Sequence, residues 1–356
     1  MRHENRNARR QALSSLLDFI IAIGLCVSLT GTHQIGWANA QPQQNPKPAT
    51  SPQQEPTDTI KLLSELVTLD VSVLDSQNRF VTGLTQTDFI LFEDNVKQQV
   101  AFFSQEEVPT SIGLVVDTSR SMAPKLNNVI AAALRLIRES HPEDEFFLVE
   151  FKAQAELVQD FTKKIEDIEE ALGDLVAHGQ TALLDAIYLS VQHAQKQAKH
   201  RRKAIVLISD GEERDSYYTE SQVLEALRAS DVQVYVIGFT AGIGADQYNI
   251  FKGTGKRKIS RQEKRARRYL EHIAQATGGR VFYPESLSEL DGIAQSIARE
   301  LRAQYVIGYY PTNAERDGKW RTVRVELKPS EKTHKASVRT RSGYYANPLT
   351  ESKRAR

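Results

Sequence analysis

Apolar runs alternate with segments of helical spacing through the middle of the chain. The runs "SIGLVVD" (111–117) and "KAIVLISD" (203–210) have the length of buried strands, and residues 125–140 repeat apolar side chains at intervals of three and four. The runs at 145–152 and 155–161 are predicted to form a hairpin. Further helices are predicted near 164–175, 182–196, 219–230, 264–276 and 286–303. This alternation predicts an α/β fold with a doubly wound, mostly parallel sheet and helices on both of its faces.

The chain on either side of this unit shows the two-residue alternation that is typical of β-strands. The N-terminal flank contains "LVTLDVSVLD" (66–75) and "DFILFEDN" (88–95), and the C-terminal flank contains "QYVIGYYP" (304–311) and "WRTVRVELK" (320–328). Each flank has too little sheet for a core of its own. We therefore expect the two flanks to pair into one small β-sandwich with the α/β unit inserted into it, which leaves fewer exposed strand edges than two separate appendages would.

The first 40 residues have the order of a secretory signal. Four arginines precede an uncharged apolar segment, Phe19 to Leu29, and the small-residue site Ala38-Asn39-Ala40 follows. The apolar segment is short for a spanning helix. We therefore predict export to the periplasm or the cell exterior with cleavage after Ala40, and an uncleaved N-terminal anchor is the alternative.

These patterns together predict six segments along the chain. A signal peptide and a disordered linker rich in proline and glutamine come first, two β-rich flanks enclose the α/β domain, and a short tail ends the chain. Their predicted bounds are 1–40, 41–60, 61–108 (N-terminal strands), 109–303 (α/β domain), 304–346 (C-terminal strands) and 347–356 (tail).

The composition limits the kinds of chemistry that we expect of the exported part of the chain. Cys26, the only cysteine, lies within the predicted signal, so disulfides and thiolate metal sites are excluded from the mature chain. Residues 1–40 hold four basic and two acidic residues, which leaves 42 basic and 43 acidic residues after cleavage. This balance gives no general attraction to nucleic acid. The segment 252–268 holds nine basic residues and one acidic residue; we interpret it as a solvated loop and helix face, with an anion-binding patch as the alternative.

Oxygen-bearing side chains follow two of the predicted strands. Asp117, Ser119 and Ser121 come at the end of the first strand of the α/β unit, Asp210 ends a later strand, and Thr181 precedes a predicted helix. The carboxyl ends of parallel strands meet at one edge of the sheet, where ligands of such folds bind. A set of oxygen ligands without cysteine or histidine suits Mg²⁺, with Mn²⁺ or Ca²⁺ as further candidates.

These five positions resemble a known motif. The sequence Asp-Thr-Ser-Arg-Ser (117–121), Thr181 and Asp210 is similar to the metal-ion-dependent adhesion site of the von Willebrand factor type A (VWFA) family, whose sheet is Rossmann-like. The two flanks resemble the bacterial VWFA-related family of acidobacterial type. The resemblance implies that Ser119, Ser121 and Thr181 contact the metal directly and that the two aspartates act through water. It also implies that a glutamate or aspartate of a protein partner completes the site.

These observations predict an exported, non-enzymatic protein that binds an acidic group of a protein partner through a divalent cation. No nucleic-acid partner is expected, an association with the membrane or envelope is compatible, and the oligomeric state is left open. A scaffold of the envelope with a structural metal is the first alternative, and a hydrolytic enzyme is a weaker one. The fragment "GTGKRK" (253–258) lacks the frame of a phosphate-binding loop, and the chain has no G-x-S-x-G or H-E-x-x-H motif. A role of Ser121 and Thr181 as helix N-caps is the simplest non-functional interpretation.

Overall fold

The computed structural model describes residues 65–105, 107–213, 215–239 and 260–347. The predicted signal peptide and linker, residues 252–259 of the basic segment and residues 348–356 lie outside this part of the chain. Within the described ranges, no helix has the length and hydropathy that crossing a membrane requires.

Strands and helices follow one another in three blocks. The first block consists of four strands and a 3-10 turn at Gln86–Asp88, and its strands are β1 Val67–Leu74, β2 Phe89–Glu93, β3 Val96–Gln98 and β4 Val100–Ser104. The second block mixes strands and helices: β5 Thr110–Asp117, α1 Leu126–Glu139, β6 Glu145–Phe151, β7 Ala155–Thr162, α2 Ile165–Gly173, α3 Leu183–Gln197, β8 Arg202–Ser209, α4 Glu220–Arg228, β9 Val232–Gly238, α5 Arg261–Thr277, β10 Val281–Phe282 and α6 Leu290–Ala303. The last block again consists of strands: β11 Tyr305–Tyr309, β12 Trp320–Leu327, β13 Ser337–Arg339 and β14 Gly343–Tyr345.

The middle block folds around a six-stranded sheet. Its order is β10-β9-β8-β5-β6-β7, and all neighbours are parallel except β6 and β7, which form the predicted antiparallel hairpin. Alternate residues of β5 pack into different cores: Leu114 and Val116 face α1, α2 and α6, and Val115 faces α3, α4 and α5. Because helices cover both faces, the central strands are apolar throughout rather than alternating. The predicted α/β class is confirmed.

Local signals set the helix ends. Ser260 caps α5 by accepting a hydrogen bond from the backbone N–H of Glu263 at 3.0 Å, and Gly278 ends this helix with φ +79°. The helix therefore begins three residues before the predicted start at residue 264. The helix predicted over 286–303 is divided: a 3-10 turn, Leu287–Glu289, precedes α6.

The two β-rich flanks form one small sandwich. Its sheets have the orders β13-β1-β11-β4 and β14-β12-β2-β3, so each sheet combines strands from both flanks. All of the pairings are antiparallel. Side chains from the two sheets share one core that includes Leu69, Leu91, Tyr305 and Val325. The predicted pairing of the flanks is thus confirmed, and the alternative of two separate appendages is wrong.

Candidate metal centre

Strand β5 carries Asp117 to the carboxyl edge of the central sheet. The Asp117 side chain is fully buried, and each of its oxygens accepts one hydrogen bond. Oδ1 accepts from the backbone N–H of Ser119 at 2.9 Å, and Oδ2 accepts from the Ser209 hydroxyl at 2.7 Å. Because Val116 pairs with Ile208, this second bond joins the ends of the neighbouring strands β5 and β8. The position of the carboxylate is therefore fixed by two adjacent strands.

The two serines of the motif lie on a short turn after β5. A 3-10 turn covers Arg120–Met122, and the buried Met122 anchors it in the core. Ser119 is buried and Ser121 is exposed, yet their hydroxyl oxygens lie only 3.1 Å apart. The turn therefore presents a pair of hydroxyls, one deep and one accessible from solvent.

Thr181 reaches this edge on the loop between α2 and α3. The loop is tied to the serine turn by two backbone hydrogen bonds, from His178 N–H to Thr118 O at 2.8 Å and from Arg120 N–H to Gly179 O at 3.3 Å. Thr181 itself is 2% exposed. These bonds bring the third hydroxyl-bearing residue of the motif to the same edge of the sheet as the serine pair.

Neither Ser121 nor Thr181 is a helix cap. The N-cap residue of α1 is Lys125, the N-cap residue of α3 is Ala182, and neither helix receives a side-chain cap hydrogen bond at that position. The start of α3 is instead satisfied by the loop after β8, because Leu184 N–H donates to Glu213 Oε2 at 3.0 Å. The capping interpretation of the motif is therefore wrong for these two residues.

Asp210 follows the end of β8 and is held by a sharp turn. Gly211 has φ +75°, a backbone conformation that L side chains rarely adopt. A Cβ atom there would also lie 3.2 Å from Leu270 Cδ1. The turn lets Asp210 Oδ1 accept a hydrogen bond from the Glu212 N–H at 3.3 Å. The Asp210 side chain is 8% exposed, so this second carboxylate is almost as deep as the first.

The electrostatics of this edge favour an added cation. Burial and the negative charge of Asp210 raise the pKa of Asp117 to about 6, against the hydrogen bonds that favour its ionised form. The ammonium group of Lys125 lies 3.7 Å from Asp210 Oδ2 and 5.3 Å from the centroid of the Phe239 ring. Two carboxylates and one ammonium leave the cluster with one net negative charge when both acids are ionised. A divalent cation would reverse that sign.

The structure adds residues that the sequence analysis missed. Ser209 fixes Asp117, and Lys125 lies beside Asp210 with only 5% of its side chain exposed. Lys125 could have been found from spacing, because it lies four residues before Val129 on the apolar stripe of α1. Glu213, on the loop after β8, holds Ser216 and the start of α3.

The donor set suits a hard divalent cation. Across the described ranges, no group of three or more histidine, cysteine, aspartate or glutamate side chains could hold a metal ion. Metal binding at this edge would therefore depend on the hydroxyls together with the two carboxylates. Oxygen ligands of this kind fit Mg²⁺, Mn²⁺ or Ca²⁺ and not the softer metals that prefer sulfur or nitrogen.

Two curated proteins are similar to this chain. Inter-alpha-trypsin inhibitor heavy chain H4 from Sus scrofa is 26% identical over 261 residues, which are 68% of this chain and 26% of that protein. Inter alpha-trypsin inhibitor, heavy chain 4 from Mus musculus is 26% identical over 159 residues, which are 39% of this chain and 17% of that protein. The chain thus spans about a quarter or less of the length of these relatives.

Solved structures resemble the chain more remotely than these two proteins do. The von Willebrand factor type A structure from Catenulispora acidiphila is 13% identical with a TM-score of 0.44, and the match covers 78% of this chain and 72% of that one. The vWF domain of the type V pili tip protein Mfa5 from Porphyromonas gingivalis is 12% identical with a TM-score of 0.43. This match covers 54% of this chain and 95% of that one. The family model of the von Willebrand factor type A domain matches residues 112–213, which span β5 to the loop after β8. The chain therefore contains a von Willebrand factor type A domain.

Proposed function

We propose that this protein is an exported, non-enzymatic binding or adhesion protein that uses a divalent cation to bind an acidic group of a protein partner. Domains of the von Willebrand factor type A kind serve protein–protein interaction or adhesion in general. The observation that carries the finer proposal is the set of oxygen donors at one sheet edge, with a hydroxyl pair 3.1 Å apart above the buried Asp117.

In this proposal the hydroxyls of Ser119, Ser121 and Thr181 are direct ligands of the cation. Asp117 and Asp210 hold it through water. The ion supplies positive charge at a solvent-accessible position, since Ser121 is exposed. Mg²⁺ is the first candidate, and Mn²⁺ or Ca²⁺ would use the same donors.

Charge balance explains why the partner would offer an acid. Asp117, Asp210 and Lys125 contribute one net negative charge, so a divalent cation brings the occupied site to one net positive charge. One carboxylate from a partner then neutralises the site. Because the deep part of the cluster is shielded from water, this neutralisation is worth more than it would be at the open surface.

Exposed apolar side chains on the loops beside the site support a protein partner. Tyr217 is 84% exposed and Val176 is 64% exposed. The Tyr217 ring packs edge-on against Tyr218, whose ring stacks on Tyr188 with centroids 3.8 Å apart. An exposed tyrosine with a fixed backing ring is the kind of side chain that carries binding energy in protein interfaces.

Affinity capture from envelope extract tests this proposal. The full exported chain would be immobilised with Mg²⁺, and bound proteins would be compared with those retained by Asp117→Ala and by Asp160→Ala, an exposed acid on β7 outside the cluster. We expect a protein that the wild type and Asp160→Ala retain, and that both EDTA and Asp117→Ala release. A partner retained unchanged in EDTA would contradict the metal bridge and favour the scaffold alternative, in which the cation only holds the loops.

A further inference from the structure

The turn that carries the two serines of the candidate metal site also carries an arginine. Arg120 lies between Ser119 and Ser121 in the chain, and it is exposed to solvent. Its backbone N–H donates to Gly179 O at 3.3 Å, so it lies where the serine turn meets the loop of Thr181. The two segments that carry all three proposed direct ligands of the cation therefore meet at Arg120.

The guanidinium group of Arg120 is available to a ligand. Within the described part of the chain, it forms no ion pair and its side chain donates no hydrogen bond. Lys125, the other basic residue between β5 and α1, is buried and lies 3.7 Å from Asp210 Oδ2. Arg120 is therefore the basic side chain of this segment that a bound partner can reach.

The acids on the neighbouring hairpin do not pair with Arg120. Glu150, near the end of β6, accepts hydrogen bonds from Thr118 Oγ1 at 3.1 Å and from Lys152 Nζ at 2.7 Å. The exposed Glu156 lies opposite Glu150 on β7. This side of the sheet edge thus holds two acids, one of which is already paired with a lysine.

The loop after β8 contributes two more acids, Glu212 and Asp215, and neither pairs with Arg120. The Asp215 N–H donates to Thr181 O at 3.3 Å, so this loop meets the loop between α2 and α3 at Thr181 and not at Gly179. These acids favour a cation at the edge of the sheet, but they would repel any carboxylate other than the one on the metal. A second carboxylate is therefore favoured only beside Arg120.

We propose that the partner of the metal site offers two acidic groups, one to the cation and one to Arg120. This inference rests on the proposed function of the site and adds the chemistry of the partner. Asp117, Asp210, Lys125 and a divalent cation together carry one net positive charge, which the first carboxylate neutralises. The second carboxylate would accept paired, charge-assisted hydrogen bonds from the guanidinium group. The partner would thus present two aspartate or glutamate side chains close together.

Peptide binding to the Mn²⁺-loaded chain tests this inference. The probes are a tetrapeptide of alternating glutamate and aspartate and a tetrapeptide with one glutamate and three glycines, both with blocked ends. Paramagnetic broadening of their proton NMR lines measures affinity and reports proximity to the metal. The proteins are wild type, Arg120→Met and Arg299→Met; Arg299, on α6, is also exposed and forms no ion pair in the described part of the chain.

We expect Arg120→Met to weaken binding of the acidic tetrapeptide about fivefold, the upper range for an exposed ion pair. Its affinity for the single-acid peptide should change by less than about twofold, because Arg120 is proposed to contact only the second acid. Its Mn²⁺ affinity should not fall, since the substitution removes a positive charge. Arg299→Met should match the wild type with both peptides.

Equal affinity of wild type and Arg120→Met for the acidic tetrapeptide would overturn this inference. An equal loss for both peptides would also overturn it, because Arg120 would then act on the carboxylate at the metal. A wild-type chain that binds no Mn²⁺, or that binds Mn²⁺ but neither peptide, would instead contradict the proposed function and remove the basis of this inference.

Discussion

At the residue scale, we expect Lys125 to limit how tightly the proposed site holds a cation. Its ammonium group lies 3.7 Å from Asp210 Oδ2, so it repels any cation that approaches the same carboxylate. We expect Lys125→Met to raise the Mn²⁺ affinity on the order of tenfold, since the substitution removes a nearby like charge. Calorimetric titration would measure this, with Lys203→Met as the control, because Lys203 pairs with Asp231. An unchanged or weaker affinity would show that Lys125 does not face the cation.

The pKa of Asp117 predicts how cation binding depends on pH. In the metal-free protein, burial and the charge of Asp210 raise this pKa to about 6, so Asp117 is protonated below that pH and ionised above it. A cation requires the ionised form and therefore competes with the proton. We expect the Mn²⁺ affinity to fall about tenfold between pH 7.5 and pH 5, because only about one tenth of Asp117 is ionised at one pH unit below its pKa. Equal affinities at the two values would contradict the involvement of Asp117.

The sequence was informative about the residues of the candidate site but not about the residues that hold them in place. Asp117 and Asp210 could be located because each follows an apolar run, and the end of a buried strand is a defined place in a parallel sheet. Ser209 was not recognised because its role depends on the register between β5 and β8, which spans more than 90 residues of chain. Lys125 was missed because the side chain of a lysine next to an amphipathic helix usually faces solvent.

At the element scale, ion pairs connect the central sheet of the α/β domain to the β-sandwich. Arg202 on β8 is fully buried and lies 3.3 Å from Asp70 on β1, and the exposed Arg201 pairs with the same carboxylate. Burial lowers the pKa of Arg202, and Asp70 opposes this effect. The pair therefore connects a strand of the central sheet to a strand of the sandwich.

Removal of Asp70 from this ion pair should destabilise the folded protein. We expect Asp70→Ala to lower the free energy of unfolding by about 3 to 5 kcal/mol, because it leaves the buried charge of Arg202 without a counter-ion and with only its hydrogen bond to Leu301 O. The double variant Asp70→Ala with Arg202→Met should recover part of the loss, which urea unfolding would measure. A loss below about 1 kcal/mol for Asp70→Ala would mean that Arg202 is satisfied elsewhere.

Helices and strands could be predicted where the spacing of apolar residues is strongly periodic. The alternation of apolar strands and amphipathic helices specified the central sheet, and two-residue alternation specified the flanks. The start of α5 and the break before α6 were placed wrongly, because a single cap at Ser260 and a 3-10 turn at Leu287–Glu289 depend on local hydrogen bonds. The pairing of distant flanks could be inferred only from the need to cover strand edges.

At the scale of the whole molecule, the proposed function requires that the chain is exported. The predicted signal ends at Ala40, so we expect N-terminal sequencing of the mature protein to begin at Gln41. A protein that begins at Met1 would indicate an uncleaved anchor instead. Either result leaves the chemistry of the sheet edge unchanged, since the site lies between residues 117 and 210.

The most direct test of the central claim is isothermal titration of the metal-free chain with Mn²⁺ and Mg²⁺. The wild type and the control Asp160→Ala should each bind one cation, and Asp117→Ala should bind none while keeping its circular dichroism spectrum. A second variant, Asp117→Asn, keeps the volume of the buried side chain and should also lose the cation. If the wild type and both Asp117 variants bind metal equally, the oxygen cluster at the end of β5 is not the cation site.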